Sequence, residues 1–412
     1  MCNDEKNNFK DFQDFAEREI LAFAREHKDE DTARLLLGAS RYPGIDMQAA
    51  VQQIEGLRTA REKWPSLLEC EDFLYPPRLN REQSSSEATA HYKAQLLTSA
   101  TNVVDLTGGM GVDTLAFAKV ACRVDYVERD PALCALMERN LRALGVGNVA
   151  VHSADSIEWL SNNSELITPN SALYIDPARR SATGRKVAAF EDCTPNILEH
   201  LPLLRSCGRL LVKASPMADI DLACRQLGCV DEVHVVAVKG ECKELLFLCG
   251  GEAAEPRIVC AGLNGIKALK APNGLSALSF TRSEEAAAEP RYCAAVGRYL
   301  YEPDPAVMKA GPFALVGQRY GLAMLARNSH LYTSDTPVEG FPGRRFEVLA
   351  ELKLSRKAVL AAIPSGTAHV VVRNYPVDAA ALQRQLGLRE GGDLFVVATT
   401  VGTRKAGFLC KI

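Results

Sequence analysis

NVVDLTGGMGVDTLAFA, residues 102–118, is the stretch whose reading decides the fold. A short apolar run, Val103-Val104, leads to Asp105. Gly108, Gly109 and Gly111 then crowd into a turn, and a helix-length apolar segment follows from Val112. Strand, glycine turn and helix in immediate succession read as the first βα unit of a parallel sheet. Glycine tolerates positive φ and lets a ligand approach the backbone at the strand's carboxyl end. A dinucleotide fingerprint would space its glycines as G-x-G-x-x-G, and these do not fit it. An acid just before the turn would repel a pyrophosphate but suits a ligand that carries a cationic amine.

Outward from this stretch, strand-length runs alternate with helix-length segments. RVDYVERD, VAVHSAD, SALYIDP and GRLLVKAS follow in order, then VDEVHVVAV and KELLFLCG. That alternation predicts a doubly wound α/β sheet of parallel strands over residues 96–250. The last two runs are joined by too few residues for a crossover helix, which predicts one antiparallel hairpin. Residues 1–95 read as helical. Phe12, Phe15, Ile20, Phe23 and Ala24 form an apolar stripe there, more suited to a core than to a nucleic-acid platform. MQAAVQQIEGLRTAREKWP repeats the pattern and stops at Pro65, and Ser84 to Ser86 offer an N-cap before Glu87. Residues 251–342 read as a connecting region, partly helical. Residues 343–412 order as β-α-β-α-β-β, a small ferredoxin-like α+β domain.

Composition narrows the classes. The chain has 412 residues, 47% hydrophobic and 24% charged, too long for one core and consistent with two to four domains. A net charge of −3 gives no global basic field, so nucleic acid would have to meet a local patch. The N-terminus is charged from its fourth residue and does not read as a secretory signal. No apolar run is long enough to span a bilayer, so no membrane role is expected. Thirteen cysteines occur without any CxxC spacing, which predicts reduced thiols and neither a metal nor a cluster site. The expected location is cytoplasmic.

Three acids fall at successive strand ends. Asp105 precedes the glycine turn, Glu128 ends the second strand where an acid binds both ribose hydroxyls, and Asp155-Ser156 follow the third. An amine-binding acid, a ribose-binding acid and an adenine-side acid together describe S-adenosylmethionine. Asp105, Thr107, Gly108, Gly109, Gly111, Glu128, Asp155 and Ser156 are therefore the expected cofactor-binding residues. The segment 100–250 resembles class I S-adenosylmethionine-dependent methyltransferases, which implies a Rossmann-like sheet. VVDLTGGMGVDTLAFA followed by VERDP is especially similar to the D-x-T-x-G-x-G-x-D … E-R-x-P pattern of bacterial 16S rRNA guanine-N2 methyltransferases. Cap trimethylguanosine synthases share a related form, including a Ser-Glu on a nearby helix, as Ser86-Glu87 here. The C-terminal part resembles the THUMP-like domain appended to a bacterial set of such enzymes, with a ferredoxin-named segment before it. The THUMP-like resemblance implies that Arg344, Arg345 and Phe346, with Arg373-Asn374, contact RNA.

The fourth run ends on Asp176-Pro177 and is followed by Arg179, Arg180, Arg185 and Lys186. Amine-methylating relatives carry Asp or Asn, then Pro-Pro and an aromatic residue, at this place. An exocyclic base amine is a poor nucleophile because its lone pair is delocalised into the ring. Asp176 and the carbonyl of Pro177 can accept its hydrogen bonds and stabilise the charge that grows on nitrogen. Here D-P-A-R replaces D-P-P-aromatic, so Arg179 stands where a stacking ring would be. A guanidinium also stacks on bases and attracts phosphate. Asp176, Pro177 and Arg179 are the expected catalytic residues, and Arg180, Arg185 and Lys186 form a basic rim for substrate. Lys213 and the charges from Glu241 to Glu244 read instead as hairpin charges facing water.

These observations predict a methyltransferase acting on an RNA base nitrogen, with guanine N2 of a structured rRNA or tRNA as the specific expectation. The base would leave its stack to reach the pocket. Two alternatives stay open at this level: a methyltransferase for a small molecule or protein, and a non-catalytic protein that binds cofactor or RNA.

Overall fold

The structure, a computed structural model, describes residues 17–179, 190–251, 253–263 and 278–412. They divide into two compact units. The first takes the described residues up to Ala214 with Arg225–Cys229 and Phe247–Gly251. The second takes Ser215–Cys224, Val230–Leu246 and the described residues beyond Gly251.

The first unit opens on helices at residues 17–26, Thr32–Leu37, Met47–Lys63, Arg78–Gln83 and Glu87–Leu96. Asp46 starts the longest of these by accepting from the N–H groups of Gln48 and Ala49, each at 3.0 Å. Ala50, Val51, Ile54 and Leu57 supply its buried face at helical spacing. Phe23 and Ala24 of the expected apolar stripe are buried, while Phe12 and Phe15 lie outside the described residues.

Strands β1 (Asn102–Asp105), β2 (Arg123–Glu128), β3 (Val149–Ser153) and β4 (Ser171–Ile175) follow, separated by helices. Two short strands, β5 (Ala178–Arg179) and β6 (Cys193–Thr194), pair antiparallel as a separate ribbon. Strand β7 (Arg209–Ala214) rejoins the sheet, whose order is β7-β4-β1-β2-β3. Every pairing in that run is parallel. All carboxyl ends therefore share one edge, which places Asp105, Glu128, Asp155, Asp176 and Lys213 on the same side. The near-continuous apolar character of β1 and β4, each with at least three fully buried residues, matches a sheet covered on both faces.

Strands β8 (Val230–Val238) and β9 (Glu241–Cys249) form the expected hairpin. Lys239 and Gly240 make its two-residue turn with φ of 50° and 79°. Positive φ at both positions is the primed geometry that fits the twist of a hairpin. Strand β9 begins in the second unit, and its last residues, Phe247–Cys249, lie beside β7 in the first.

In the second unit, β10 (Arg257–Leu263) runs parallel to β8 and pairs antiparallel with β11 (Leu278–Phe280). A seven-stranded sheet follows, formed by β12 (Tyr299–Pro303), β13 (Ala323–Met324), β14 (Tyr332–Ser334), β15 (Gly343–Leu352), β16 (His369–Val372), β17 (Leu394–Val401) and β18 (Arg404–Lys411). The expected β-α-β-α-β-β order is present from Gly343 onward, with helices Arg356–Ala362 and Ala379–Leu386. Residues of β17 alternate between two cores: Phe395 and Val397 enter one, Val396 and Ala398 the other. Residues 251–342 hold helices, as expected, and also β10 to β14, of which three have only two or three residues and the longer β10 and β12 are almost continuously buried, without period-two alternation.

Among the described residues no helix is long and apolar enough to cross a membrane. None of their His, Cys, Asp or Glu side chains group to hold a metal ion, and the described cysteines are free thiols.

Candidate active site

Asp105 closes β1 with its side chain fully buried. Its Oδ1 accepts from the Thr107 N–H at 3.1 Å and its Oδ2 from the Thr114 hydroxyl at 2.6 Å. The acid thus shapes the turn it precedes. Burial pushes its pKa up to about 7; the Thr114 and Thr107 hydrogen bonds oppose the rise, while Asp113 and Asp176 add to it.

The glycines are required by a neighbour as well as by φ. A Cβ on Gly108 would stand 2.2 Å from the Tyr126 ring. Tyr126 lies beneath the turn and donates from its hydroxyl to the Gly109 carbonyl at 2.7 Å. The Gly109 N–H donates to Glu128 Oε2 at 3.0 Å, so the first two strand ends are tied together. Glu128 Oε1 also accepts from the Asp130 N–H at 2.9 Å. Asp155 is exposed and caps the helix Ser156–Asn162, its Oδ1 accepting from Ile157 and Glu158 at 3.0 and 3.2 Å.

Asp176 stands one residue past β4, and two contacts fix it. Its backbone N–H donates to Thr107 Oγ1 at 2.8 Å, joining the fourth strand end to the glycine turn. Its Oδ2 accepts from Lys213 Nζ at 2.5 Å, with the Asp176 side chain 35% exposed and that of Lys213 13%. The expectation that Lys213 faces water is corrected here. Strands β4 and β7 are parallel neighbours with Ile175 opposite Val212, so the next residue on each meets its counterpart at the sheet edge. Glu244, read with it as a hairpin charge, is buried too, whereas Glu241 is exposed.

A buried polar network lies behind this pair. Lys213 Nζ donates to Ser85 Oγ at 3.3 Å, and Lys93 Nζ reaches the same oxygen at 2.9 Å. Ser85 donates to Asp113 Oδ2 at 2.8 Å, which also accepts from the Tyr174 hydroxyl at 2.8 Å. Lys93, with 0% of its side chain exposed, sits 3.1 Å from Asp113 Oδ1. Burial alone would raise the Asp113 pKa, but Lys93 and Lys213 outweigh it and hold the carboxyl below its usual range. None of Ser85, Lys93, Tyr174 or Lys213 was expected at the site. One signal was available: Lys93 falls on the apolar stripe of its helix, between buried Ala90 and Leu97.

Ala178 and Arg179 enter the β5–β6 ribbon, where Arg179 pairs with Cys193 in register. Pro177 is buried. Arg180, Arg185 and Lys186 lie outside the described residues. The expected cofactor residues and Asp176 thus converge on one sheet edge, with an acid at each of four strand ends. In the second unit, Arg344 and Arg373 flank Glu302, and Arg345 pairs with Glu339 at 2.7 Å.

Comparison with known proteins gives three family models along this chain. A SAM-dependent methyltransferase model matches residues 71–186, a ferredoxin-like domain 299–342, and a THUMP domain-like model 343–411. A crystal structure assigned as a methyltransferase from Porphyromonas gingivalis W83 is 31% identical and superposes with a TM-score of 0.82, covering 96% of this chain and 98% of that one. An uncharacterized S-adenosylmethionine-dependent methyltransferase of Mycobacterium tuberculosis is 29% identical over 78% of this chain and 83% of its own. Ribosomal RNA small subunit methyltransferase J of Chromobacterium violaceum is 30% identical over 127 residues, 28% of this chain and 48% of that protein.

Proposed function

The chain belongs to the S-adenosylmethionine-dependent methyltransferases, and from that membership we propose that it methylates the exocyclic N2 amine of a guanine in a structured RNA. The observation that carries the reading is the double anchorage of Asp176, by its N–H to Thr107 in the glycine turn and by its carboxylate to Lys213.

The donor set fits the cofactor. A turn built from Gly108, Gly109 and Gly111 leaves bare backbone beside Asp105, and a carboxylate follows at each of the next two strand ends, Glu128 and Asp155. Thr107 and the glycines, on a turn that Asp105 shapes from behind, would hold the methionine end, Glu128 the ribose, and Asp155 with Ser156 the adenine side. Bound there, S-adenosylmethionine supplies a methyl group already activated by its sulfonium.

The task left to the chain is to orient and activate the acceptor nitrogen. Asp176 accepts from the base amine, localises its lone pair and stabilises the positive charge that grows on nitrogen. The amine loses one proton as it gains the methyl group, and this carboxylate is the acceptor that takes it. A carboxylate offers about four acceptor sites on two oxygens. Guanine presents adjacent N1–H and N2–H donors to such a group, whereas adenine and cytosine place a bare ring nitrogen beside their amine. Asp176 therefore favours guanine. Pro177 supplies a second acceptor through its carbonyl. The basic rim expected from Arg180, Arg185 and Lys186 lies outside the described residues. The likeness to ribosomal RNA small subunit methyltransferase J and the THUMP-like match support RNA as the substrate class.

The test uses labelled S-adenosylmethionine with RNA from cells that lack this gene and from cells that possess it. Label entering only the deficient RNA, and recovered as N2-methylguanosine after digestion, is the expected result. Label in another nucleoside, or none in RNA from a protein that binds the cofactor, contradicts the proposal.

A further inference from the structure

Asp176 is one of three carboxylates gathered at this edge, with Asp105 and Asp113 close enough for their charges to act on one another. Lys93 and Lys213 are the ammonium groups set against them, and they divide the work. Lys93 is fully buried against Asp113, whereas Lys213 touches Asp176 directly at 2.5 Å. The carboxylate of Asp176 stands past the end of its strand and is partly exposed, so its own rotamer freedom would let it turn toward water.

We propose that Lys213 is a positioning residue for methyl transfer. It pins Asp176 Oδ2 in a charge-assisted hydrogen bond, and the carboxylate plane is thereby set for the incoming amine. The inference rests on the amine-methylation reading above and adds a residue to it. Lys213 is itself held from behind, because Ser85 Oγ accepts from it and is fixed in turn by Lys93 and Asp113. The chain of contacts runs from a buried helix, through a serine, to the group that meets substrate. Two independent anchors then define Asp176: the Thr107 contact places its backbone, and the Lys213 contact places its carboxylate. The glycine turn itself is closed by Asp105, Thr114, Tyr126 and Glu128.

The experiment compares Lys213→Met, Lys213→Arg and Asp176→Asn in the full chain. It measures kcat and KM on RNA from cells lacking the gene, and the dissociation constant of S-adenosylhomocysteine by calorimetry. A misplaced reacting group costs about 100-fold in rate. The expected ladder is a kcat about 100-fold lower in Lys213→Met and intermediate in Lys213→Arg, with KM and cofactor affinity within about 2-fold of the parent. A kcat equal to the parent in Lys213→Met, while Asp176→Asn is inactive, overturns the positioning role and leaves the functional reading standing. Full activity in Asp176→Asn overturns both. Cofactor affinity falling in step with kcat marks a structural role and also overturns the proposal. Where Lys213→Met does not fold, Lys213→Arg decides: reduced kcat at unchanged affinity supports positioning, and unchanged kcat overturns it.

Discussion

Asp105 combines two demands on one carboxyl: it closes a turn through Thr107 and Thr114, and it does so with no exposure to water. Its pKa rises from an ordinary 3.8 to about 7, with burial as the main cause. Folding therefore takes up a proton between those values. The stabilising contribution is complete below 3.8 and is lost as pH rises through about 7. In Asp105→Asn this dependence is absent. Thermal melts should show the parent losing stability relative to Asp105→Asn as pH is raised from about 5 to about 8; parallel curves would contradict the assignment. Asp105→Ala, which also opens the turn, is expected to weaken S-adenosylhomocysteine binding by at least about 10-fold. At this scale the acids of the site were legible, because Asp105 and Asp176 each close an apolar run. Lys213, Lys93 and Ser85 were not. Their carboxylate partners lie 37, 20 and 28 residues away, and only the parallel pairing of β4 with β7 and the placement of the helix Glu87–Leu96 bring them together.

The element that matters most is the strand–turn–helix around Gly108. A methyl group there would meet the Tyr126 ring at 2.2 Å, and that ring also holds the Gly109 carbonyl. Gly108→Ala should therefore lower stability by about 1–3 kcal/mol and reduce cofactor affinity together. Gly145 ends the helix Pro131–Leu144 at φ 68° with open space around it. Gly145→Ala should cost about 1–2 kcal/mol of backbone strain and leave affinity unchanged. Melting curves and calorimetry on the two variants separate turn packing from helix capping. This element was readable from local sequence because the contacts that close its turn, from Asp105, Thr114, Tyr126 and Glu128, are short in range or lie on the next strand. The β-α-β-α-β-β run from Gly343 was readable for the same reason: Asp378 and Gly387 cap a helix whose Leu382 and Leu386 face the sheet. Between 251 and 342 the strands are two to seven residues long, and their pairing is with distant strands such as β8 and β15, so local pattern alone left them indistinct.

At the scale of the molecule, a chain of net charge −3 depends on local arrangements of charge in each unit. The second unit buries Glu302, its side chain 3% exposed, between Arg344 and Arg373, the latter at 2.7 Å. Arg373→Ala removes one of these partners and is expected to cost about 1–3 kcal/mol of stability. The proposed cofactor residues all belong to the first unit, so S-adenosylhomocysteine affinity should stay within about 2-fold; a larger loss would show that the residue acts on the cofactor site. The central claim concerns Asp176, and Asp176→Asn tests it most directly. Methyl transfer to RNA and cofactor affinity are measured on the same preparation. The account expects transfer to fall by about 100- to 1,000-fold while S-adenosylhomocysteine binds as in the parent. Undiminished transfer to guanine N2 by Asp176→Asn would contradict it.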